Sequence, residues 1–249
     1  MVVAKNETIR TIVSFFVLTL FFCGAMSSAA FALSLPFTTE PISEADKTVL
    51  TSRLRVNLVE SEPPRRAIYC FAVRDDGVIA VATRDSENQT VSVYDQDGKY
   101  LYSFHFHCGG AYGLAWDGER LAVFLVRSDL LVIYNADGSV QELWKIPYTA
   151  ENHRIENAMC TTTKYQIGDT TYELKNPKGI LKLLPETHTQ LVITDSTGQP
   201  QLFYDVSGEE RVRVIARVAI FFVAGIVCLL AALEAGKQVH GKKEKNTYG

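Results

Sequence analysis

The stretch Val91-Ser-Val-Tyr-Asp-Gln-Asp-Gly98 returns as Leu131-Val-Ile-Tyr-Asn-Ala-Asp-Gly138, and the rest of the chain is organised around this repeat. In both copies, residues that favour a half-buried strand lead into an Asp-Gly pair. Glycine there accepts the positive φ that a tight hairpin turn requires. A period of about 40 residues, with short strands between such turns, indicates a protein built from repeated β-units.

The repeat predicts four strands in each of two units. The first unit has strands at 68–74, 78–84, 90–95 and 100–106, and the second has strands at 112–116, 120–126, 131–135 and 140–146. A polar segment at 148–160 interrupts the pattern and is predicted to form one or two helical turns. A third, looser unit follows, with predicted strands at 162–167, 170–175, 180–184 and 201–206 and an echo of the repeated octapeptide at 191–198.

The spacing, the Tyr-Asp-x-Asp-Gly pattern starting at Tyr94 and the stretch Gly113-Leu-Ala-Trp-Asp-Gly118 resemble blades of NHL- and WD40-type β-propellers. The resemblance covers about residues 68–206 and is to an architecture rather than to one family. Trp116-Asp117 stands at the start of a hairpin, whereas the WD40 signature closes a blade. The resemblance implies a mainly β fold of about three propeller-blade-like antiparallel four-stranded repeats. It leaves the function open, because propellers host enzymes, sensors and scaffolds alike.

Three units are fewer than the roughly four to eight blades of a closed propeller. The outer faces of the terminal units and the sheet edges would then need cover. Three solutions remain open. A strand predicted within 53–59 caps the array, or the chain associates with itself or with another membrane protein. Alternatively, the domain is a twisted β-sandwich.

Two apolar segments flank the repeats. Residues 11–33 carry no charge and, at about 1.5 Å per residue, are long enough for a helix that crosses a hydrocarbon layer of about 30 Å. They are predicted to form a transmembrane helix; the alternative is a cleaved signal peptide that ends at Ala30-Phe-Ala32. The second segment, 214–235, is predicted to be a transmembrane helix in which Arg217 snorkels to the interface.

The predicted organisation follows from these segments and from the basic residues at both ends. Both termini are predicted to be cytoplasmic and the central domain extracytoplasmic, with a single membrane pass if residues 1–32 are a cleaved signal peptide. The segments are a cytoplasmic N-terminus (1–10), the first transmembrane helix (11–33), a linker with a short helix and a strand (34–66), the β-repeat domain (67–207), the second transmembrane helix (214–235) and a basic cytoplasmic tail (236–249).

Charge and motifs limit the function. Residues 34–210 hold 16 Lys+Arg against 25 Asp+Glu, and this acidic balance argues against nucleic acid as a partner. The sequence contains none of the linear motifs of common hydrolases, metalloproteases, phosphate-binding loops or EF-hands. No catalytic residue and no cofactor is therefore predicted.

Two questions about side chains stay open. His105-Phe-His107-Cys108 is the only metal-like cluster in the sequence: His105 and His107 share one face of a strand, and Cys108 could follow as a third ligand after a bend. The alternative is that these residues only line the end of a strand. The central cysteines Cys70, Cys108 and Cys160 are either three buried thiols or one disulfide and one free thiol.

The leading hypothesis is a membrane-anchored, extracytoplasmic β-repeat module that acts by binding or assembly. Its expected partners are the lipid bilayer and either a second copy of the chain or another membrane protein. The alternatives are a membrane-tethered propeller-type hydrolase, whose catalytic groups converge from several loops, and a ligand sensor. A deep pocket with clustered His, Asp or Glu would favour the enzyme.

Overall fold

Three antiparallel sheets form most of the protein in a computed structural model, which describes residues 33, 35–54, 56–59, 61–84, 89–177 and 187–245. The predicted N-terminal segment, nearly all of the first apolar segment and the predicted strand at 180–184 lie outside the described residues. The mainly β prediction is confirmed: the structure has three β-sheets of four or five strands, in agreement with a β-repeat architecture.

The strands form three four-strand meanders, and the first sheet carries one further strand at its edge. The first sheet contains β1 (Asn57–Val59), β2 (Ile68–Val73), β3 (Ile79–Arg84), β4 (Gln89–Tyr94) and β5 (Tyr100–Phe106), in the order β1-β5-β4-β3-β2. The second contains β6 (Tyr112–Asp117), β7 (Arg120–Leu125), β8 (Leu130–Tyr134) and β9 (Val140–Lys145), in sequence order. The third contains β10 (Lys164–Ile167), β11 (Thr170–Lys175), β12 (Gln190–Thr194) and β13 (Pro200–Asp205), also in sequence order.

The Asp-Gly pairs form the turns between strands. Gly98 and Gly138, at equivalent positions of the repeat, have φ values of +82° and +77°. Gly98 N–H donates to the Asp95 carbonyl at 3.1 Å, and the Asp95 carboxylate accepts from the backbone of Asp97 and Lys99. The side chain of Asp95 is thus used within its own turn, as an aspartate at the first position of a hairpin turn often is.

The first sheet lies in the middle of the stack, because both of its faces are buried. One buried cluster joins it to the second sheet and contains small residues of the first sheet, such as Ala72 and Ala80, together with the large Tyr112 and Leu114. A second cluster joins the opposite face, including Phe71, to the third sheet. The spatial order is therefore third, first, second, and the domain has three layers of sheet where a sandwich has two.

The outer face of the second sheet is covered by other parts of the chain. Phe37 stacks on Phe124 at 5.6 Å between ring centroids. The helix α2 (Ala150–Thr161; α1 is Glu44–Arg53) packs on β6, where Gly113 gives room for Met159. A Cβ atom on Gly113 would lie 2.8 Å from the Cβ of Met159, so this close approach depends on the absence of a side chain.

Most of the outer face of the third sheet is polar, with Leu202 as an apolar residue that is 50% exposed. Lys164 and Gln166 are exposed on β10, and Glu173 pairs with Lys175 on β11 at 2.9 Å. A polar outer face on a terminal unit is the usual way in which a repeat array ends in water. Association through these faces stays a prediction.

Two outer sheet edges are extended by the N-terminal part of the domain. β1 pairs with β5 in an antiparallel register that places Leu58 opposite Phe104. Glu40 forms a bridge with Lys145 at the edge of β9, with Glu40 N–H 2.8 Å from the Lys145 carbonyl. The strand predicted within 53–59 thus lengthens the first sheet instead of closing the array.

The helices differ from the predictions in length. α2 has 12 residues instead of one or two turns, because the Thr149 side chain caps its N-terminus and Asn152 and Met159 are buried against the second sheet. α3 (Ser207–Lys245) contains the whole of the predicted segment 214–235. Among the described residues, no helix combines the length and the apolar character needed to cross a membrane, so the predicted transmembrane helices are not supported by the described part of the chain.

Candidate functional site

A pocket of about 620 Å³ lies where the three sheets come together. It is lined near the beginning of the first strand of each four-strand meander (β2, β6 and β10), at Tyr69, Ala111 and Thr163. The second strands contribute residues at or just beyond their ends, which are Arg84, Val126 and Leu174. The meander topology therefore creates the pocket, because equivalent strand ends of the three sheets meet on one side.

Tyr69 and Arg84 form one wall. The register of β2 on β3 shifts between Ile68 and Cys70, so Tyr69 lies at a β-bulge, a feature that re-aims a side chain. The ring of Tyr69 packs on Tyr112 at 4.9 Å between centroids, and the guanidinium of Arg84 lies over the Tyr69 ring at 5.5 Å. Burial, followed by the nearby thiols of Cys70 and Cys160, raises the pKa of Tyr69, so its hydroxyl stays protonated near neutral pH.

The opposite wall comes from one face of α2. Glu156, Asn157, Cys160 and Thr161 all line the pocket, and their spacing of one and four residues places them side by side on the helix surface. The helix is fixed by Asn152, whose side chain donates to the carbonyls of Thr38 and Pro147 and accepts from the Thr38 N–H.

His188 closes the side of the pocket next to the third sheet. Its backbone exchanges two hydrogen bonds with Ile68 of the first sheet, at 2.6 and 2.8 Å. The neighbouring Thr189 is held by the side chain of Asn176 and by the Lys175 carbonyl. These bonds fix the backbone on both sides of His188. Its Nδ1 atom is buried and has no hydrogen-bond partner among the described residues.

The titratable groups of the pocket are held in their uncharged forms, apart from Arg84 and Glu156. Burial raises the pKa of the Cys160 thiol to about 12, with a smaller contribution from the Glu156 carboxylate. Burial lowers the pKa of His188. A thiol attacks as the thiolate, so the protonated Cys160 is a poor nucleophile near neutral pH.

The predicted metal residues lie away from this pocket. His105 is on β5, at the opposite side of the first sheet from β2, and its Nδ1 is 2.8 Å from the Thr90 hydroxyl. Cys108 donates its S–H to the Gly110 carbonyl. The part of the chain that the structure describes contains no cluster of three or more His, Cys, Asp or Glu able to hold a metal ion. Metal binding at His105, His107 and Cys108 stays a prediction without support from this geometry.

The sequence did not identify the pocket residues. Tyr69, Glu156 and His188 are far apart in the chain and belong to no linear motif. The available signal was topological: in a stack of meanders, the beginnings of first strands and the ends of second strands converge. The central cysteines Cys70, Cys108 and Cys160 are free thiols.

Comparison of the chain with protein-family models and with curated proteins found no match in either case.

Proposed function

We propose that this chain is a membrane-tethered, extracytoplasmic β-repeat module that binds a ligand in the pocket between its three sheets. The β-sheets form a blade-like array in the manner of a small propeller, and α3 attaches this array to the lipid bilayer. The observation that carries the tether is the apolar surface of α3, which no part of the described chain covers.

The exposed apolar residues surround the helix. Ile220, Phe221, Phe222 and Val223 have exposed fractions of 67%, 76%, 71% and 59%. Four consecutive residues of an α-helix point in directions about 100° apart, so together they occupy the whole circumference. A helix that is apolar on all sides is a buried or membrane helix. Exposure of this surface to water would make the chain prone to aggregate.

The sequence around this apolar surface supports lipid acyl chains as the molecules that cover it. In the sequence the uncharged run extends from Val218 to Leu233, which is 16 residues, and lysines follow at 237, 242, 243 and 245. With residues 214–216 included and Arg217 reaching to the interface, the run approaches the roughly 20 residues of a membrane-spanning helix. The basic residues beyond it favour a cytoplasmic C-terminus.

Assembly with a second copy or with another membrane protein is then expected through α3. The described outer face of the second sheet is covered and that of the third is polar apart from Leu202, so α3 offers the larger apolar surface for association. The protonated thiol of Cys160 favours ligand binding over a mechanism in which this cysteine is the nucleophile.

Flotation of the full chain with liposomes tests the tether. The reconstituted full chain is expected to float. The double variant Phe221→Lys/Phe222→Lys is tested in a form that starts at residue 34, where α3 carries the one membrane-length apolar segment left in the sequence, and it is expected to stay at the bottom of the gradient. Tyr148→Lys is the matched control, because Tyr148 is 84% exposed and lies outside α3. A full chain that fails to float, or a double variant that floats as well as the control, overturns the tether. The native mass in detergent separates a lipid-tethered monomer from an assembly through α3.

A further inference from the structure

We propose that the pocket binds a zwitterionic small molecule of the amino-acid or short-peptide class, with its carboxylate on Arg84 and its ammonium group on Glu156. This inference rests on the proposed function only in that the pocket is the binding site. It does not depend on the membrane tether.

Arg84 is prepared to bind a carboxylate. It is the last residue of β3, and its Cζ atom lies over the Tyr69 ring, 5.5 Å from the ring centroid. No carboxylate of the described residues lies within ion-pair distance of it, so its N–H groups have capacity for a carboxylate ligand. A carboxylate accepts two of these N–H groups in parallel.

Glu156 supplies the opposite charge from the other wall. Its side chain is only 17% exposed, and within the described part of the chain it pairs with His153 on the same helix, whose Nδ1 is 3.4 Å from Oε2. This long contact with a half-exposed histidine leaves the carboxylate with capacity for further donors. A partly buried carboxylate gains most from a charged donor, and an ammonium group supplies up to three N–H bonds.

The balance of charge points to a zwitterion rather than to an anion. The charged side chains of the pocket are one guanidinium and one carboxylate, and they do not pair with each other. The surrounding domain is acidic, with 25 Asp+Glu against 16 Lys+Arg in residues 34–210, so a phosphate or a polycarboxylate would be repelled. A ligand that carries a carboxylate and an ammonium group at separate positions complements Arg84 on one wall and Glu156 on the other.

The remaining lining sets the size and polarity of the ligand. A volume of about 620 Å³ falls within the range of about 300–1,000 Å³ typical of small-molecule sites. It leaves space beyond the two charged groups for an amino-acid side chain or a second residue. Val126 and Leu174 offer apolar contact, while Asn157 and the threonines at 161–163 offer polar groups. An amino acid with a sizeable side chain, or a dipeptide, fits this mixture.

The test uses the full chain in detergent and measures its thermal unfolding with each of the proteinogenic amino acids and with their glycyl dipeptides. At least one compound is expected to raise the Tm. For the best compound, two analogues are then compared by calorimetry: the amide, which lacks the carboxylate, and the desamino acid, which lacks the ammonium group. Each analogue is expected to bind about tenfold to a hundredfold more weakly, as loss of a charged hydrogen bond predicts.

Variants of Arg84 and Glu156 test which side chain binds which charged group of the ligand. Arg84→Gln should bind the parent compound and its amide equally, and Glu156→Gln should bind the parent compound and its desamino analogue equally. Arg84→Lys, which keeps the cation, should retain part of the discrimination. Arg127→Gln and Glu151→Gln are the matched controls on exposed positions and should behave as wild type.

Two results overturn the inference: no compound of either set raises the Tm, or Arg84→Gln and Glu156→Gln keep the discrimination of the wild type. Flotation of the Arg84→Gln chain should equal that of wild type. A wild-type chain that binds the compound but does not float disproves the tether alone. A chain that floats but binds no compound disproves the ligand assignment alone.

Discussion

The guanidinium group of Arg65 lies over the ring of Tyr204, with its Cζ atom 5.1 Å from the ring centroid. The same group lies 5.5 Å from the centroid of Tyr94. Tyr94 belongs to the first sheet and Tyr204 to the third, so one side chain of the connecting segment contacts two sheets. Glu62 completes the arrangement, since its carboxylate accepts from Arg65 Nε at 2.9 Å and from the Tyr94 hydroxyl at 3.0 Å.

Replacement of Arg65 by methionine should weaken the contact between the first and third sheets. Methionine keeps much of the apolar contact but removes the cation–π interactions and the ion pair with Glu62. Because Arg65 is partly exposed, we expect a loss of about 0.5–1 kcal/mol in the free energy of unfolding, measured with urea. Arg154→Met on the exposed side of α2 is the control. Equal stability of the two variants would show that Arg65 does not couple the sheets.

Replacement of Gly113 by alanine should displace α2 from β6. The new methyl group would lie 2.8 Å from the Met159 Cβ and 2.9 Å from its carbonyl carbon, and overpacking of this kind costs about 1–3 kcal/mol. Since α2 forms one wall of the pocket, ligand binding should weaken as well. Gly208→Ala, where a Cβ atom meets nothing within 4 Å, should leave both quantities unchanged. A Gly113→Ala chain with wild-type stability would mean that the helix adjusts without cost.

The hairpins could be predicted from the sequence and the pocket could not. A hairpin turn depends on residues that are close together in the chain, whereas the pocket depends on residues that are far apart in it. A turn such as Asp95–Gly98 is set by the φ of one glycine and the carboxylate of one aspartate, so four residues of sequence suffice to predict it. The position of the first sheet between the other two depends on which face of each strand buries larger side chains. Tyr69, Glu156 and His188 meet only after three sheets and α2 have packed, and no local pattern specifies that.

Replacement of Asn152 by alanine should release the segment at 37–38 from the second sheet. The side chain of Asn152 is 2% exposed and makes hydrogen bonds of 3.0, 2.8 and 3.0 Å to the backbone of Thr38 and Pro147. Its loss leaves buried backbone groups without partners, at about 1–3 kcal/mol for each unsatisfied group. We expect a lower urea midpoint and faster amide exchange at Thr38. The exposed Asn57→Ala is the control, and unchanged exchange at Thr38 would contradict the prediction.

The stability of the domain should decrease in mild acid because of His188. Burial lowers the pKa of His188 from its ordinary value of 6.5, so the unfolded chain binds a proton at a higher pH than the folded chain. The contribution of neutral His188 to the free energy of unfolding is therefore complete above the pKa that this histidine has in the unfolded chain. It decreases as the pH drops below about 6.5. The other ionisable groups that line the pocket are Tyr69, Arg84, Glu156 and Cys160.

His188→Gln tests this assignment. The variant should show a smaller change in urea midpoint between about pH 7 and 5 than the wild type. Arg154→Gln on the exposed side of α2 is the matched control, and its profile should follow the wild type. Parallel profiles for wild type and His188→Gln would show that another group causes the acid sensitivity.

Cys160 should resist alkylation for as long as the domain is folded. Its pKa of about 12, against about 8.5 for a free thiol, leaves it almost entirely protonated at about pH 9, and only the thiolate reacts with iodoacetamide. The rate at Cys160 in the native chain, followed by mass spectrometry of its peptide, should be at least about a hundredfold lower than in urea. The same shift makes stability fall as the pH rises from about 9 towards 12, since the unfolded chain loses this proton first. Glu156→Gln removes the nearby negative charge and should increase the native rate, whereas Glu151→Gln should not. A native rate equal to the rate in urea would mean that the α2 wall of the pocket opens readily.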